Sequence, residues 1–175
     1  FVGRVEKAKG IYELIRIAEQ FRQNKLNFTI DIVGGGDLYD IILNEIVTKE
    51  LSENVFLHGQ IADVDELKAL YDNSDVFVFP SYHEGFPRVL YEAMASGLPI
   101  FTTFVGGISG RMKHLENCIE IPAKDSTNSA QIISKYIKNK RTLEYIGKKG
   151  QETIELILDG SLLNHEELLL KQLKK

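Results

Sequence analysis

Apolar residues recur along this chain with two alternating periods. Ile11, Leu14, Ile15, Ala18 and Phe21 fall three or four positions apart, which predicts an amphipathic helix from Gly10 to Gln23. Asn24 to Asn27 reads as a turn. Phe28 to Val33 reads as a strand that stops at Gly34-Gly35-Gly36. A second helix is expected next, capped by Asp37, with Leu38, Ile41, Ile42, Glu45 and Ile46 on successive turns. Asn54 to His58 reads as a short strand, and Asp63 to Asn73 as a helix with Leu67, Leu70 and Tyr71 inward. Asp75 to Phe79 is a nearly continuous apolar run, which suits a central parallel strand covered on both faces. Arg88 to Ser96 is a helix ended by Gly97. Strands are expected at Leu98 to Phe104 and Asn117 to Ile121. Three helices follow at Asn128 to Asn139, Thr142 to Leu158 and Leu162 to Leu173.

Phe1-Val2-Gly3-Arg4 reads as the end of a further strand, so six strands alternate with helices. That alternation predicts an α/β fold: a Rossmann-like, doubly wound six-stranded parallel sheet with helices on both faces and strand order 3-2-1-4-5-6. At 175 residues, 43% hydrophobic and 26% charged, the chain suits one domain, residues 1–175, with its C-terminal helices starting at about 128. A net charge of −4 argues against nucleic acid as a partner. The single Cys118 excludes an internal disulfide and a cysteine-based zinc site, and reads as a small strand hydrophobe. No apolar run approaches the roughly 20 residues of a membrane span. No signal peptide is visible, and the abrupt start suggests a domain excised from a longer protein.

Candidate chemistry gathers where strands end. In an open parallel sheet, ligands bind in the crevice beyond the carboxyl ends of the strands. Glu84 follows the strand ending at Phe79, and Glu92 lies early on the next helix. A carboxylate at that lip can accept two hydrogen bonds from a ribose diol, and Glu92 is placed to do so. Taken alone, it reads as a solvated helix residue, and Glu84 as a loop charge or cap. Phe86-Pro87 leads into that helix, whose first N–H groups and positive dipole end favour an anion such as a pyrophosphate. Arg4 and Lys9 flank the first strand and first helix at the same end of the sheet, where two cations can neutralise a departing diphosphate. Each alone reads as surface charge. Together with Gly34 to Gly36, Glu84 and Glu92 they map to one crevice.

The run P-S-Y-H-E-G-F-P-R-V-L-Y-E-A-M-A-S-G-L-P at residues 80–99 resembles the E-x7-E signature of retaining group-1 glycosyltransferases. Further matches are F-V-G-R…K-G at 1–10, I-V-G-G-G-D-L at 32–38, V-F-L-H-G-Q-I at 55–61, L-Y-D-N-S-D-V-F-V-F-P-S at 70–81 and T-T-F-V-G-G at 102–107. The resemblance implies the C-terminal, donor-binding half of a GT-B fold, with an N-terminal acceptor domain lying outside this chain. It implies transfer of a hexose, with retention, from a UDP- or GDP-sugar to a saccharide or lipid-linked acceptor in capsule, lipopolysaccharide or similar synthesis. It further implies a cytoplasmic protein, attached peripherally to the inner membrane face through the other half. Glu84, Arg4 and Lys9 would carry the transfer, with Arg4 and Lys9 on the diphosphate and Glu84 on sugar hydroxyls. Glu92 would hold the ribose. The backbone of Phe86, Pro87, Arg88 and Val89 would meet the sugar and phosphates, with Gly3, Gly34, Gly35, Gly106 and Gly107 completing the donor site.

The chain departs from that pattern after Gly107, where Ile108-Ser109-Gly110-Arg111-Met112 lacks the acid the family carries near position 110. Loop 105–111 is therefore expected to contact the donor with altered detail. Asp63-Val64-Asp65 resembles a metal-binding D-x-D, but it opens a helix and precedes Glu66, which points to capping. No metal and no cofactor beyond the donor itself are expected. His83 adjoins Glu84 and reads as a donor or acceptor contact or as an idle loop residue; His58, His114 and His165 show no ligand spacing. Two other readings stay open: a non-catalytic nucleotide-sugar-binding module, and a GT-B-type nucleotide-sugar epimerase.

Overall fold

The computed structural model describes residues 1–160. Among them strands and helices alternate as α1 (Ile11–Gln23), β1 (Ile30–Val33), α2 (Tyr39–Thr48), β2 (Val55–Gly59), α3 (Val64–Asp72), β3 (Phe77–Phe79), α4 (Arg88–Ala95), β4 (Ile100–Thr102), β5 (Ile119–Glu120), α5 (Ser126–Tyr136) and α6 (Lys140–Leu158). Every ladder between these strands is parallel. One joins β1 to β2, with Ile30 opposite Val55; the other runs β3-β4-β5, with Phe77 opposite Ile100 and Phe101 opposite Ile119.

The expected first strand is reduced to a stub. Val2 bridges Val33, the Val33 N–H donates to the Phe1 carbonyl at 2.9 Å, and the Gly3 N–H donates to the Val33 carbonyl at 2.9 Å. The chain then turns at Arg4, where the Glu6 N–H donates to the Arg4 carbonyl. Three residues leave too few ladder bonds for a regular strand, so five strands are described rather than six. The stub beside β1 and β2 reproduces the 3-2-1 part of the predicted order, and β3-β4-β5 the 4-5-6 part. Across the junction the Phe1 and Phe79 rings stack 5.7 Å apart.

Three apolar clusters hold these layers. Val5, Leu14, Ile15, Ile32, Ile42 and Ile46 fill the space between α1, α2 and the β1–β2 half. Ile17 and Phe21, on the other side of α1, pack with Phe101, Ile119, Ile133 and Ile146. Phe77, Phe79, Leu90, Met94 and Ile100 join α4 to the second ladder. The β4 strand is wholly buried, which is why its sequence I-F-T lacks polar alternation.

Several boundaries shift from those expected. Asp37 does not cap α2: its N-cap is Leu38, with no side-chain bond. The Val5 N–H donates to the Gly35 carbonyl and the Leu38 N–H to the Val5 carbonyl, so residues 35–38 are bound to the first loop and Asp37 is left exposed. Helix α5 starts earlier, because the Asp125 side chain accepts the Asn128 N–H at 3.0 Å. Helix α6 starts at Lys140, because the Asn139 side chain accepts the Thr142 N–H at 3.2 Å. The helix expected over Leu162 to Leu173 lies outside the described residues.

Candidate functional site

Gly34 and Gly35 follow β1, Glu84 follows β3, and Gly106 and Gly107 follow β4, whereas Arg88, Val89 and Glu92 lie on α4; two of the predicted residues, Lys9 and Glu84, meet directly. Lys9 ends a 3-10 turn (Lys7–Lys9) and is followed by Gly10 at φ 72°. A Cβ on Gly10 would lie 1.9 Å from the Pro80 carbonyl oxygen, so only glycine lets this turn approach the loop after β3. That approach delivers Lys9 Nζ to within 2.6 Å of Glu84 Oε1. The Ser81 hydroxyl donates to the same oxygen at 2.6 Å. The Glu84 side chain is only 6% exposed and that of Lys9 18%.

This loop is tied down on three sides. The Ser81 hydroxyl oxygen also lies 3.0 Å from the Ala8 carbonyl, to which the Tyr82 N–H donates at 2.9 Å. Thr103, fully buried just after β4, donates its hydroxyl to the Ser81 carbonyl at 2.5 Å. The Gly107 N–H donates to the Glu84 carbonyl at 3.2 Å. Gly106 sits at φ 55°, where a Cβ would lie 1.9 Å from that same Glu84 oxygen. The Gly106-Gly107 pair predicted as a donor contact therefore clamps the backbone of Glu84.

Gly3, Arg4, Gly34 and Gly35 line a neighbouring cleft of about 380 Å³, together with Gln60 and Leu67. Arg4 is exposed and pairs with Glu6 at 3.2 Å rather than joining Lys9 and Glu84. Glu92 is exposed on α4 and its Oε2 accepts the Tyr71 hydroxyl at 2.9 Å. Pro87 is the N-cap of α4 without any side-chain cap, and Arg88 is exposed at the first position. The Phe86 ring packs 4.6 Å from Tyr91, and Val89 is partly buried against the same cluster. A wider hollow of about 760 Å³ lies at the opposite edge of the sheet, lined by residues such as Thr29, Val76 and Pro99. None of the predicted donor residues lines it.

Sequence reasoning missed four participants. Tyr71 reads as an inward helix residue, and Ser81 is not singled out. Arg111 is buried, with its guanidinium 5.9 Å from the Phe86 ring and 6.0 Å from Tyr91, so the divergent loop turns its cation onto aromatic faces. Tyr82 donates to the buried Glu13 at 2.6 Å, which ties the Glu84 loop to α1. Burial and then the Glu13 bond push the Tyr82 hydroxyl pKa up, so it stays a donor. The only available signals were polar groups inside otherwise apolar runs.

The remaining candidates resolve simply. Asp63 accepts the Asp65 and Glu66 N–H groups at 2.8 and 3.1 Å, so the D-x-D run is a helix cap. Among the described residues, no three His, Cys, Asp or Glu side chains gather as a metal site would require. His83 is exposed, His58 bonds Asp31 at 2.6 Å, and His114 Nδ1 accepts the Glu120 N–H at 3.0 Å; His165 lies outside the described residues. Cys118 is fully buried, as a strand hydrophobe should be, and burial pushes its thiol up to about 12.

Residues 1–153 match the family described as glycosyl transferases group 1. The chain belongs to that family. A capsular polysaccharide biosynthesis glycosyltransferase of Staphylococcus aureus, CapM, is 31% identical over 156 residues, covering 89% of this chain and 40% of the relative. The chain spans about two fifths of the length of the curated relatives it matches. The crystal structure of the C-terminal domain of a glycosyl transferase group 1 family protein from Francisella tularensis superposes with a TM-score of 0.79. The two are 24% identical, and the match covers 90% of this chain and 83% of that one. S. aureus TarM, in complex with fondaparinux, α-GlcNAc-glycerol and UDP, superposes with a TM-score of 0.81 at 25% identity, over 99% of this chain and 34% of TarM. The fold is thus the C-terminal, Rossmann-like part of a group-1, GT-B glycosyltransferase.

Proposed function

We propose that this chain is the donor-binding part of a retaining, metal-independent hexosyltransferase that takes a nucleoside diphosphate sugar. The carrying observation is the Lys9–Glu84 pair, held at 2.6 Å at the carboxyl edge of the sheet beside a cleft lined by Gly3, Arg4, Gly34 and Gly35. Transfer breaks the bond between the anomeric carbon and the diphosphate oxygen and forms one to an acceptor hydroxyl. Negative charge grows on the departing diphosphate. Lys9, Arg4 and the uncapped first turn of α4 offer it cations and free N–H groups, in place of the charge a metal would bring.

Glu84 is an acceptor of sugar hydroxyl bonds in this reading, not a covalent nucleophile. Its Oε1 is already engaged by Lys9 and Ser81, which lowers its nucleophilicity and fixes its direction. Glu92 takes the ribose, and the backbone from Phe86 to Val89 takes the sugar and phosphates. The acceptor, a saccharide or lipid-linked glycan, meets the donor against an N-terminal domain of the same protein that closes over the crevice. Capsule or related polysaccharide synthesis is the setting suggested by CapM. UDP is the first nucleotide to test, since TarM was crystallised with it.

Calorimetric titration of the chain with UDP, GDP and their hexose conjugates, in excess EDTA, tests this. Binding of one diphosphate, tightened by its matching hexose, is expected. No binding of either nucleotide family, or binding that requires a divalent cation, contradicts it.

A further inference from the structure

Tyr71 lies near the C-terminal end of α3, 6% exposed, with its ring 5.8 Å from that of Phe77 inside the core. Its hydroxyl reaches out of that core to Glu92 Oε2 at 2.9 Å. Burial, and then the charge of Glu92, push the hydroxyl's pKa up, so it remains protonated and donating across the physiological range.

A glutamate exposed on a helix face ordinarily spreads over several rotamers, and fixing one costs conformational entropy. Glu92 is such a residue, but one of its oxygens is bonded to a ring that the core holds still. The bond leaves Oε1 for a ligand. A vicinal diol recognised by one carboxylate demands a fixed carboxylate plane, because both hydroxyls must reach its oxygens at hydrogen-bonding distance. We propose that Tyr71 is a positioning residue for nucleoside recognition: its hydroxyl sets the rotamer of Glu92, and so confers on the site its preference for a ribose diol. The inference rests on the assignment of Glu92 to the ribose made above.

The alternative is a bond that only joins α3 to α4. The two roles separate on the ligand, because a structural bond has no reason to distinguish ligands that differ only at the ribose. The test titrates wild type, Tyr71→Phe, Glu92→Gln and the double variant with UDP and with 2′,3′-dideoxy-UDP, and records the thermal midpoint of each. Phenylalanine keeps the ring in the core. Tyr71→Phe is expected to weaken UDP about fivefold, as for a hydrogen bond to a charged group acting at one remove, and to leave the dideoxy ligand unchanged. In the Glu92→Gln background the same change is expected to add nothing. Equal weakening of both ligands by Tyr71→Phe overturns the proposal in favour of a structural bond. Wild-type UDP affinity in Tyr71→Phe, with a clear loss in Glu92→Gln, overturns the positioning role but leaves Glu92 on the ribose. Wild-type UDP affinity in Glu92→Gln removes the assignment on which both rest.

Discussion

Replacing Lys9 by methionine removes one charge and keeps the length and packing of the stem. Glu84 then retains a single hydrogen-bond donor to Oε1, the Ser81 hydroxyl, while its side chain is 6% exposed. Removing one partner of a buried ion pair costs about 3–5 kcal/mol, because the other charge stays buried without compensation. Lys9 is 18% exposed, so solvent screens the pair and the cost falls below that range. We expect about 2–3 kcal/mol, which for a chain of this size lowers the thermal midpoint by about 4–12 °C. Circular dichroism melts, with urea unfolding as a second route, measure it. The double-mutant cycle with Glu84→Gln is decisive. Once Glu84 is neutral, the Lys9→Met penalty should largely disappear, giving a coupling of about 2–3 kcal/mol. A midpoint within about one degree of wild type, or strictly additive losses, would refute the claim that this pair organises the site.

Two further outcomes follow from particular residues. Gly106→Ala places a left-handed φ on alanine and a Cβ 1.9 Å from the Glu84 carbonyl; it should cost at least about 1–2 kcal/mol and weaken UDP in titration, and wild-type values for both would contradict the clamp. The Cys118 thiol should resist Ellman's reagent at pH 8 until the chain is unfolded, since it is fully buried and its pKa is pushed up to about 12. Because the folded thiol keeps its proton while the unfolded one ionises near pH 8.5, stability should be unaffected below that pH. It should then fall by up to about 1.4 kcal/mol per unit between there and pH 12, a slope that Cys118→Ala should lose.

The periodicities of this chain reported its core well. The helix read from Gly10 to Gln23 is α1, and the apolar run from Asp75 to Phe79 holds β3, because burial is what spaces apolar residues. Boundaries were less legible where tertiary bonds decide them. Asp37 has the composition of a cap, yet the bonds of Val5 to residues 35 and 38 carry it away from the helix. The candidate site was legible only as a set of residues expected along one edge of a parallel sheet, of which the structure joins Lys9 and Glu84. Its internal wiring was not. Nothing in the spacing says that Glu84 is held by Lys9 and Ser81, while Arg4 sits on Glu6 and Glu92 on Tyr71. The Lys9–Glu84 and Tyr71–Glu92 partners stand 75 and 21 positions apart, and only folding brings them together.

The central claim is that two glutamates divide one donor between them, and titration of Glu84→Gln and Glu92→Gln with UDP and with its hexose conjugate tests it most directly. Glu92→Gln should weaken UDP itself, because the ribose loses a charged acceptor. Glu84→Gln should leave UDP nearly unchanged and weaken the sugar conjugate. Each loss should be about 1–3 kcal/mol, as for a hydrogen bond to a charged group. Equal losses for both ligands in both variants, or no loss in either, would contradict the account.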